Sequence, residues 1–207
     1  MTWSREEIAQ RVALDIPDGW YVNIGVGMPE AVPAFVSRER EVIYQSENGI
    51  LGMVPLEPED PVDPDTVSAG KGPVKLRPGG CLFDTTMSFA MIRSGRLDLG
   101  IIGALEVSEG GDIANWRTHD RIMGGIGGAA DVCAGVRSVW VMMTHKTGED
   151  PKLVPECSYP LTAQGVVKRV YTDLAVLERE GPRWTIRDAA PGVSRDQVRE
   201  ATGFPLA

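Results

Sequence analysis

Histidine is nearly missing from this chain: only His119 and His145 occur in 207 residues. Neither stands at ligand spacing from a cysteine or from the other histidine, so no metal centre is expected. Cysteine is almost as scarce. Cys81, Cys133 and Cys157 are three in number and far apart, which gives neither a disulfide framework nor a zinc knuckle and points to a reducing cytoplasm. No Gly-x-Ser-x-Gly is present, which removes the hydrolase-type serine nucleophile, and Gly80-Cys81 alone does not make a thiol one. Basic residues are outnumbered, 21 Lys and Arg against 29 Asp and Glu for a net charge of −8. A nucleic-acid surface or an anionic membrane needs clustered Lys and Arg and is excluded on that ground, whereas a small anionic substrate needs only a local positive site. No apolar run approaches the length of a membrane span, and Met1-Thr-Trp-Ser-Arg-Glu-Glu is too acidic and polar for a signal peptide.

What remains is a chain with 43% hydrophobic and 24% charged residues and no internal repeat, long enough to bury a substantial core as a single domain over 1–207. Ser4 and Glu7 stand at capping-box spacing, and Ile8, Val12 and Ile16 recur on one face, predicting a helix over 5–16 ended by Pro17-Asp-Gly19. Tyr21-Val-Asn-Ile24 reads as a strand entering Gly25-Val-Gly27-Met-Pro29, with Pro29 in the first turn of a helix over 29–36. The glycines Gly25 and Gly27 let backbone approach a ligand or pack strand tightly on helix. A dinucleotide fingerprint would need a third glycine where Glu30 stands. The Pro- and Gly-rich stretch 55–80 reads as a long connection, acidic at first and then basic at Lys71, Lys75 and Arg77. Lys71, between Gly70 and Gly72, either reaches an anionic ligand or is a solvated loop lysine. A helix over 83–93 with Phe89 and Ile92 toward the core precedes Leu97-Asp-Leu-Gly-Ile-Ile-Gly-Ala-Leu105, apolar enough for a central strand covered on both faces. Strands follow over 138–144, once or twice within 166–178, and over 184–188, and a capped helix over 194–201 has Gly203 just past its end.

Two stretches carry chemistry. In Gln45-Ser46-Glu47-Asn48-Gly49-Ile50-Leu51-Gly52, a short strand runs into Asn48-Gly49, a turn dipeptide. Glu47 is then either a reacting carboxylate delivered at a strand's carboxyl end, where ligands gather in open α/β sheets, or a solvated residue beside an ordinary hairpin. In Gly124-Gly-Ile-Gly-Gly-Ala-Ala130, successive glycines can aim backbone N–H groups at one point ahead of a short helix. The spacing Gly125-x-Gly127-x-x-Ala130 formally fits a dinucleotide loop, but no apolar strand precedes it and the roughly ten residues to the next strand are too few for a usual crossover helix. Asn115-Trp116 could wall a substrate, contact a subunit or anchor a loop.

Ser46-Glu47-Asn48-Gly49-Ile50-Leu51-Gly52 resembles the signature of the β subunit of class I 3-oxoacid coenzyme A transferases. Further segments resemble that family in the same order: Tyr21-Val-Asn-Ile-Gly-Val-Gly-Met-Pro29, Ser88-Phe-Ala-Met-Ile-Arg93, Gly111-Asp-Ile-Ala-Asn-Trp116, Gly124-Gly-Ile-Gly-Gly-Ala-Ala-Asp131, Tyr171-Thr-Asp-Leu-Ala-Val176 and Ala190-Pro-Gly-Val193. The resemblance implies a three-layer α/β/α fold with a largely parallel sheet, in agreement with the element order. It implies that Glu47 is the covalent nucleophile and that the Gly128 amide serves the oxyanion. It implies that the coenzyme A site draws on Asn48, Gly49, Gly25, Gly27, Lys71, Gly127, Ala129 and Asn115, with no cofactor because the CoA thioester is itself a substrate. The partner would be a homologous α subunit, in an α2β2 assembly, and the acids succinate with acetoacetate or 3-oxoadipate. One position departs from the pattern: Glu106 stands where glutamine is expected, either altering hydrogen bonding near the acyl group or facing solvent. Near its reference pKa of about 4.3, Glu47 would be ionised at neutral pH and need no general base. Two other classes fit the same residues: an acyl-CoA hydrolase or lyase subunit on this scaffold, and a non-catalytic regulatory subunit in which Glu47 serves only the turn.

Overall fold

The computed structural model describes residues 2–120 and 125–207. In chain order it contains α1 (Arg5–Asp15), β1 (Tyr21–Ile24), a 3-10 helix (Met28–Phe35), β2 (Ile43–Ser46), β3 (Ile50–Pro55), β4 (Val74–Leu82), α2 (Thr85–Arg93) and β5 (Leu99–Gly103). Short strands follow, β6 (Glu106–Ser108) and β7 (Ile113–Ala114), then α3 (Ala129–Gly135) and β8 (Ser138–Met142). Next are β9 (Lys146–Thr147), β10 (Asp150–Pro151), β11 (Leu153–Val154), β12 (Val167–Tyr171), β13 (Ala175–Glu180), β14 (Arg183–Ala189) and α4 (Arg195–Ala201).

Nine strands form one sheet in the order β14-β13-β12-β8-β5-β1-β2-β3-β4. The middle five, β12 to β2, are mutually parallel, and antiparallel strands flank them on both sides. The period-2 alternation of the central strands sorts their side chains into two cores. Leu99, Ile101, Trp140 and Met142 face one side with Ile8 and Val12 of α1 and Val32 of the 3-10 helix. Ile102, Val139 and Val141 face the other with Ile92 of α2, Val132 of α3 and Val198 of α4. Three layers result, α/β/α around a largely parallel sheet, as the sequence predicts.

Local chemistry explains the ends. Ser4 and Glu7 close the expected capping box on α1, and Ser194 with Gln197 closes another on α4. Asp84 caps α2 through the Met87 N–H. The segment after β1 is a 3-10 helix rather than the predicted α-helix, because Pro33 in its interior offers no N–H for an α-helical ladder. The predicted connection 55–80 is shorter than expected. β4 begins at Val74 and pairs antiparallel with β3, tolerating Pro78 and the positive-φ Gly79 because it is an edge strand with a register shift in its pairing. The shortness of the helix after Gly128 likewise did not prevent a crossover: seven-residue α3 completes the connection between parallel β5 and β8.

His145, completely buried, lies between two hydroxyls, Nδ1 2.9 Å from Thr172 Oγ1 and Nε2 3.0 Å from Thr202 Oγ1. Thr202 is the C-cap of α4, so this imidazole ties the last helix to the sheet. Burial lowers its pKa from 6.5 to about 4. The folded value lies below the unfolded one, so between those pH values the unfolded chain takes up a proton that the fold refuses. Stability is expected to hold above pH 6.5 and to fall by roughly 3 kcal/mol on acidification to pH 4, at 1.36 kcal/mol per unit. Urea midpoints across that range, compared with His145→Gln, measure it; an equal pH slope in the variant would refute the assignment.

Candidate active site

Parallel strands deliver their carboxyl ends to one edge of the sheet, the edge where α/β proteins collect ligands. Here β1 ends into the Gly25 turn, β2 ends at Ser46 immediately before Glu47, and β5 leads away toward the segment that returns at Gly128 to open α3.

Glu47 occupies the first position of a three-residue turn joining β2 to β3, where Ser46 pairs with Ile50. Both expectations for this residue hold geometrically: the hairpin is real and it sits at a strand's carboxyl end. Gly49 closes the turn, its N–H donating to the Ser46 carbonyl at 3.0 Å and its own carbonyl accepting from the Phe83 N–H at 2.9 Å. Its φ is +118°, and a Cβ there would overlap the Phe83 carbonyl oxygen. Gly49→Ala is therefore expected to cost at least ~2 kcal/mol, seen as a fall of several degrees in the thermal midpoint; an unchanged midpoint would show that the turn is not built as described.

The Glu47 side chain is half-buried and rests against Gly128. A Cβ on Gly128 would fall well inside contact distance of Glu47 Oε2 and 2.9 Å from the Phe89 ring. Gly128 itself has φ −80° and ψ −2°, a conformation open to any residue, so glycine is required here by the neighbouring carboxylate and not by the backbone. Desolvation raises the Glu47 pKa, and the nearby Asp131 carboxylate, itself paired with Arg93 at 2.7 Å, raises it further. The expectation of a carboxylate near its reference value is thereby corrected: partial burial and a like charge make it more basic. Among the described residues no basic side chain pairs with it.

The other predicted positions divide into groups. Gly25 packs, its N–H donating to the Ile101 carbonyl and its Cβ position lying 2.8 Å from that oxygen. Gly27 takes φ +93° in open space, its N–H held by the Glu30 carboxylate. Asn48 points its amide at the Val67 carbonyl, 2.7 Å away, and so ties the Glu47 turn to a second tight turn at Ser68, Ala69, Gly70, Lys71 and Gly72. Lys71 is the exposed tip of that turn and is held at φ +69°. The same turn is anchored from beneath, Ala69 N–H to Ser46 Oγ and Ser68 Oγ to Glu30 Oε1. Of the glycine loop, Gly124 lies outside the described residues; Gly125 and Gly127 both take positive φ, and the Ala129 amide is engaged with the Ile126 carbonyl. Asn115 and Trp116 are loop anchors, bonded to Thr162 and to the Leu161 carbonyl. Glu106 is 8% exposed and faces neither solvent nor an empty site: Ser158 donates to it through N–H and hydroxyl, and Tyr159 through its N–H. It organises a loop.

Sequence reasoning passed over the buried polar residues beneath the turn. Asn23, Gln45, Ser46 and Ser88 are at most 2% exposed, and amides at neighbouring positions of two otherwise apolar strands were the available signal. Glu30 and Ser68 were likewise unmarked.

The family described as coenzyme A transferase matches residues 5–201. The chain belongs to this family. The transferase is 46% identical to the β subunit of the 3-oxoadipate CoA-transferase of Pseudomonas putida over 206 residues, 98% of this chain and 96% of that one. It is 44% identical to the β subunit of the succinyl-CoA:3-ketoacid coenzyme A transferase of Helicobacter pylori, covering 96% of both chains. In fold it matches a crystal structure of an acyl-CoA transferase from Escherichia coli O157:H7 with a TM-score of 0.78 at 20% identity, all of this chain lying on 43% of that one. As a transferase it is an enzyme. Among the described residues no cluster of side chains could hold a metal ion, and no helix is long and apolar enough to cross a membrane.

Proposed function

We propose that the chain is the β subunit of a 3-oxoacid CoA-transferase that moves coenzyme A between succinyl-CoA and a 3-oxo acid, acetoacetate or 3-oxoadipate, through a thioester on Glu47. The observation that carries this reading is the seating of the Glu47 carboxylate: at the carboxyl edge of the parallel block, with raised basicity, against the Gly128 backbone. The names of the relatives supply the acid classes and the partner.

In the first step a Glu47 carboxylate oxygen adds to the thioester carbonyl. Collapse breaks the carbon–sulfur bond and releases CoA thiolate, leaving an acyl-glutamyl anhydride. The thiolate then adds to Cδ of Glu47, and loss of the acyl carboxylate leaves the glutamyl-CoA thioester. A second acid reverses both steps. No proton is transferred, which suits a carboxylate with no adjacent base. Each addition creates an oxyanion, and the Gly128 amide is its donor; such a donor is typically worth about 3 kcal/mol. Contacts to the remote pantetheine and nucleotide, for which Lys71 at its exposed turn and the glycines 25 and 27 are the candidate residues, supply binding energy to be used in the transition state. A homologous α subunit completes the site, in an α2β2 assembly located in the cytoplasm.

The test is a peptide mass map of the chain, co-purified with its partner and incubated with succinyl-CoA in the absence of acceptor acid, then treated with borohydride. A glutamyl thioester is reduced to the alcohol and a free carboxylate is not. Reduction confined to Glu47 is expected. An unmodified Glu47 in a complex that transfers CoA would overturn the mechanism.

A further inference from the structure

Beneath the Glu47 turn lies a chain of buried amides and hydroxyls on the face of the sheet that packs against α2. Asn23 and Gln45 are register partners on parallel β1 and β2, and the Asn23 amide donates to Gln45 Oε1. Gln45 Nε2 donates in two directions, to Ser88 Oγ of α2 at 2.8 Å and to the Ser46 carbonyl at 3.1 Å. That carbonyl belongs to the peptide bond joining Ser46 to Glu47, and it also accepts the Gly49 N–H that closes the turn. Gln45 therefore grips the peptide from which the carboxylate is hung and bolts it to α2.

The same helix carries the opposite wall. Phe89, next to Ser88, places its ring 2.9 Å from where a Gly128 Cβ would stand. A shift of the Glu47 turn relative to α2 is thus a shift of the carboxylate relative to Gly128. Apolar side chains of similar size would fill this layer at less desolvation cost, since the rest of that face is hydrocarbon. A fully satisfied polar chain in such a place fixes one geometry among several that packing alone would allow.

We infer that Gln45 and Ser88 are positioning residues that hold the Glu47 carboxylate in register with Gly128. The inference rests on Glu47 being the nucleophile. It is tested in the co-purified complex with Gln45→Leu, Ser88→Ala and the double variant, reading kcat and KM for succinyl-CoA and the rate at which Glu47 becomes borohydride-reducible in a single turnover. Each single change is expected to lower kcat and the labelling rate roughly 10-fold or more, as small misplacements of reacting groups do. KM should stay within about 3-fold, and the double variant should be no worse than Gln45→Leu, since both remove one linkage.

Unchanged labelling rates in complexes that remain assembled would overturn the inference, as would a rise in KM at constant kcat, or losses that simply multiply in the double variant. Should Gln45→Leu fail to assemble, Ser88→Ala decides alone, because it deletes one hydroxyl and keeps the helix. Wild-type labelling at Glu47 separates the two readings: if the wild type labels and the variants match it, only the positioning role fails. A wild type that transfers CoA without labelling at Glu47 overturns the nucleophile and this inference together.

Discussion

Glu47→Gln is expected to reduce CoA transfer by at least about 1000-fold, equivalent to roughly 4 kcal/mol of barrier, while the protein stays folded and its thermal midpoint at neutral pH does not fall. The amide has the carboxylate's shape and rests on Gly128 equally well, but it cannot form the anhydride. The stability half of the prediction follows from the raised pKa. A carboxyl group whose folded pKa exceeds its unfolded value favours the fold only while protonated. That contribution is complete below the unfolded value, near 4.5, and is lost as pH rises through the higher folded one. Glutamine carries no such dependence. The difference in midpoint between variant and wild type should therefore be smallest in acid and shift in the variant's favour as pH rises. Steady-state rates with the partner present, and melting curves at several pH values, measure both halves. Transfer within 10-fold of wild type would exclude the carboxylate as nucleophile and leave the turn as its only role.

Gly128→Ala should separate activity from stability in a different way. The backbone angles at Gly128 suit alanine, so the fold should lose less than about 1 kcal/mol. The added methyl, however, falls on the Glu47 carboxylate and the Phe89 ring. Displacing a nucleophile by about 1 Å is enough to cost on the order of 100-fold in kcat, and that is the expected loss, with KM for the thioester little altered. Gly127→Ala provides the contrast. Its φ of +52° meets no neighbour within contact, so its cost is backbone strain and should register in the melting curve. Equal activity losses in the two variants would show that the loop's conformation, and not the space beside Glu47, governs the rate.

Element types and order were legible because the central strands carry continuous apolar runs and the helices carry caps. Ser4 with Glu7 and Ser194 with Gln197 announce their helices by side-chain chemistry that acts within four residues. The edge strand β4 was not legible, since Pro78, Gly79 and Gly80 argue for a loop, and its pairing with β3 is decided by a partner some twenty residues away. Glu47 was legible from the turn and the surrounding signature, but its environment was not: its basicity depends on Asp131 and its seat on Gly128, both more than eighty positions distant. Glu106 shows the converse. A carboxylate suspected of touching the acyl group is held by Ser158 and Tyr159, which no local pattern links to it.

β2 is the strand at which the sheet changes from parallel to antiparallel, so the chain leaves Glu47 by doubling back along the strand that delivered it. Most loops at the carboxyl edge of such a sheet wander off to a helix and can swing; this one is held by paired backbone on both sides of its three residues. An enzyme that carries a covalent CoA through two half-reactions must present the same atom to two different acids. With the carboxylate fixed in the sheet like a peg in a board, all the travel falls to the incoming and outgoing acids, and choosing between them becomes a matter of which one fits around an immovable point.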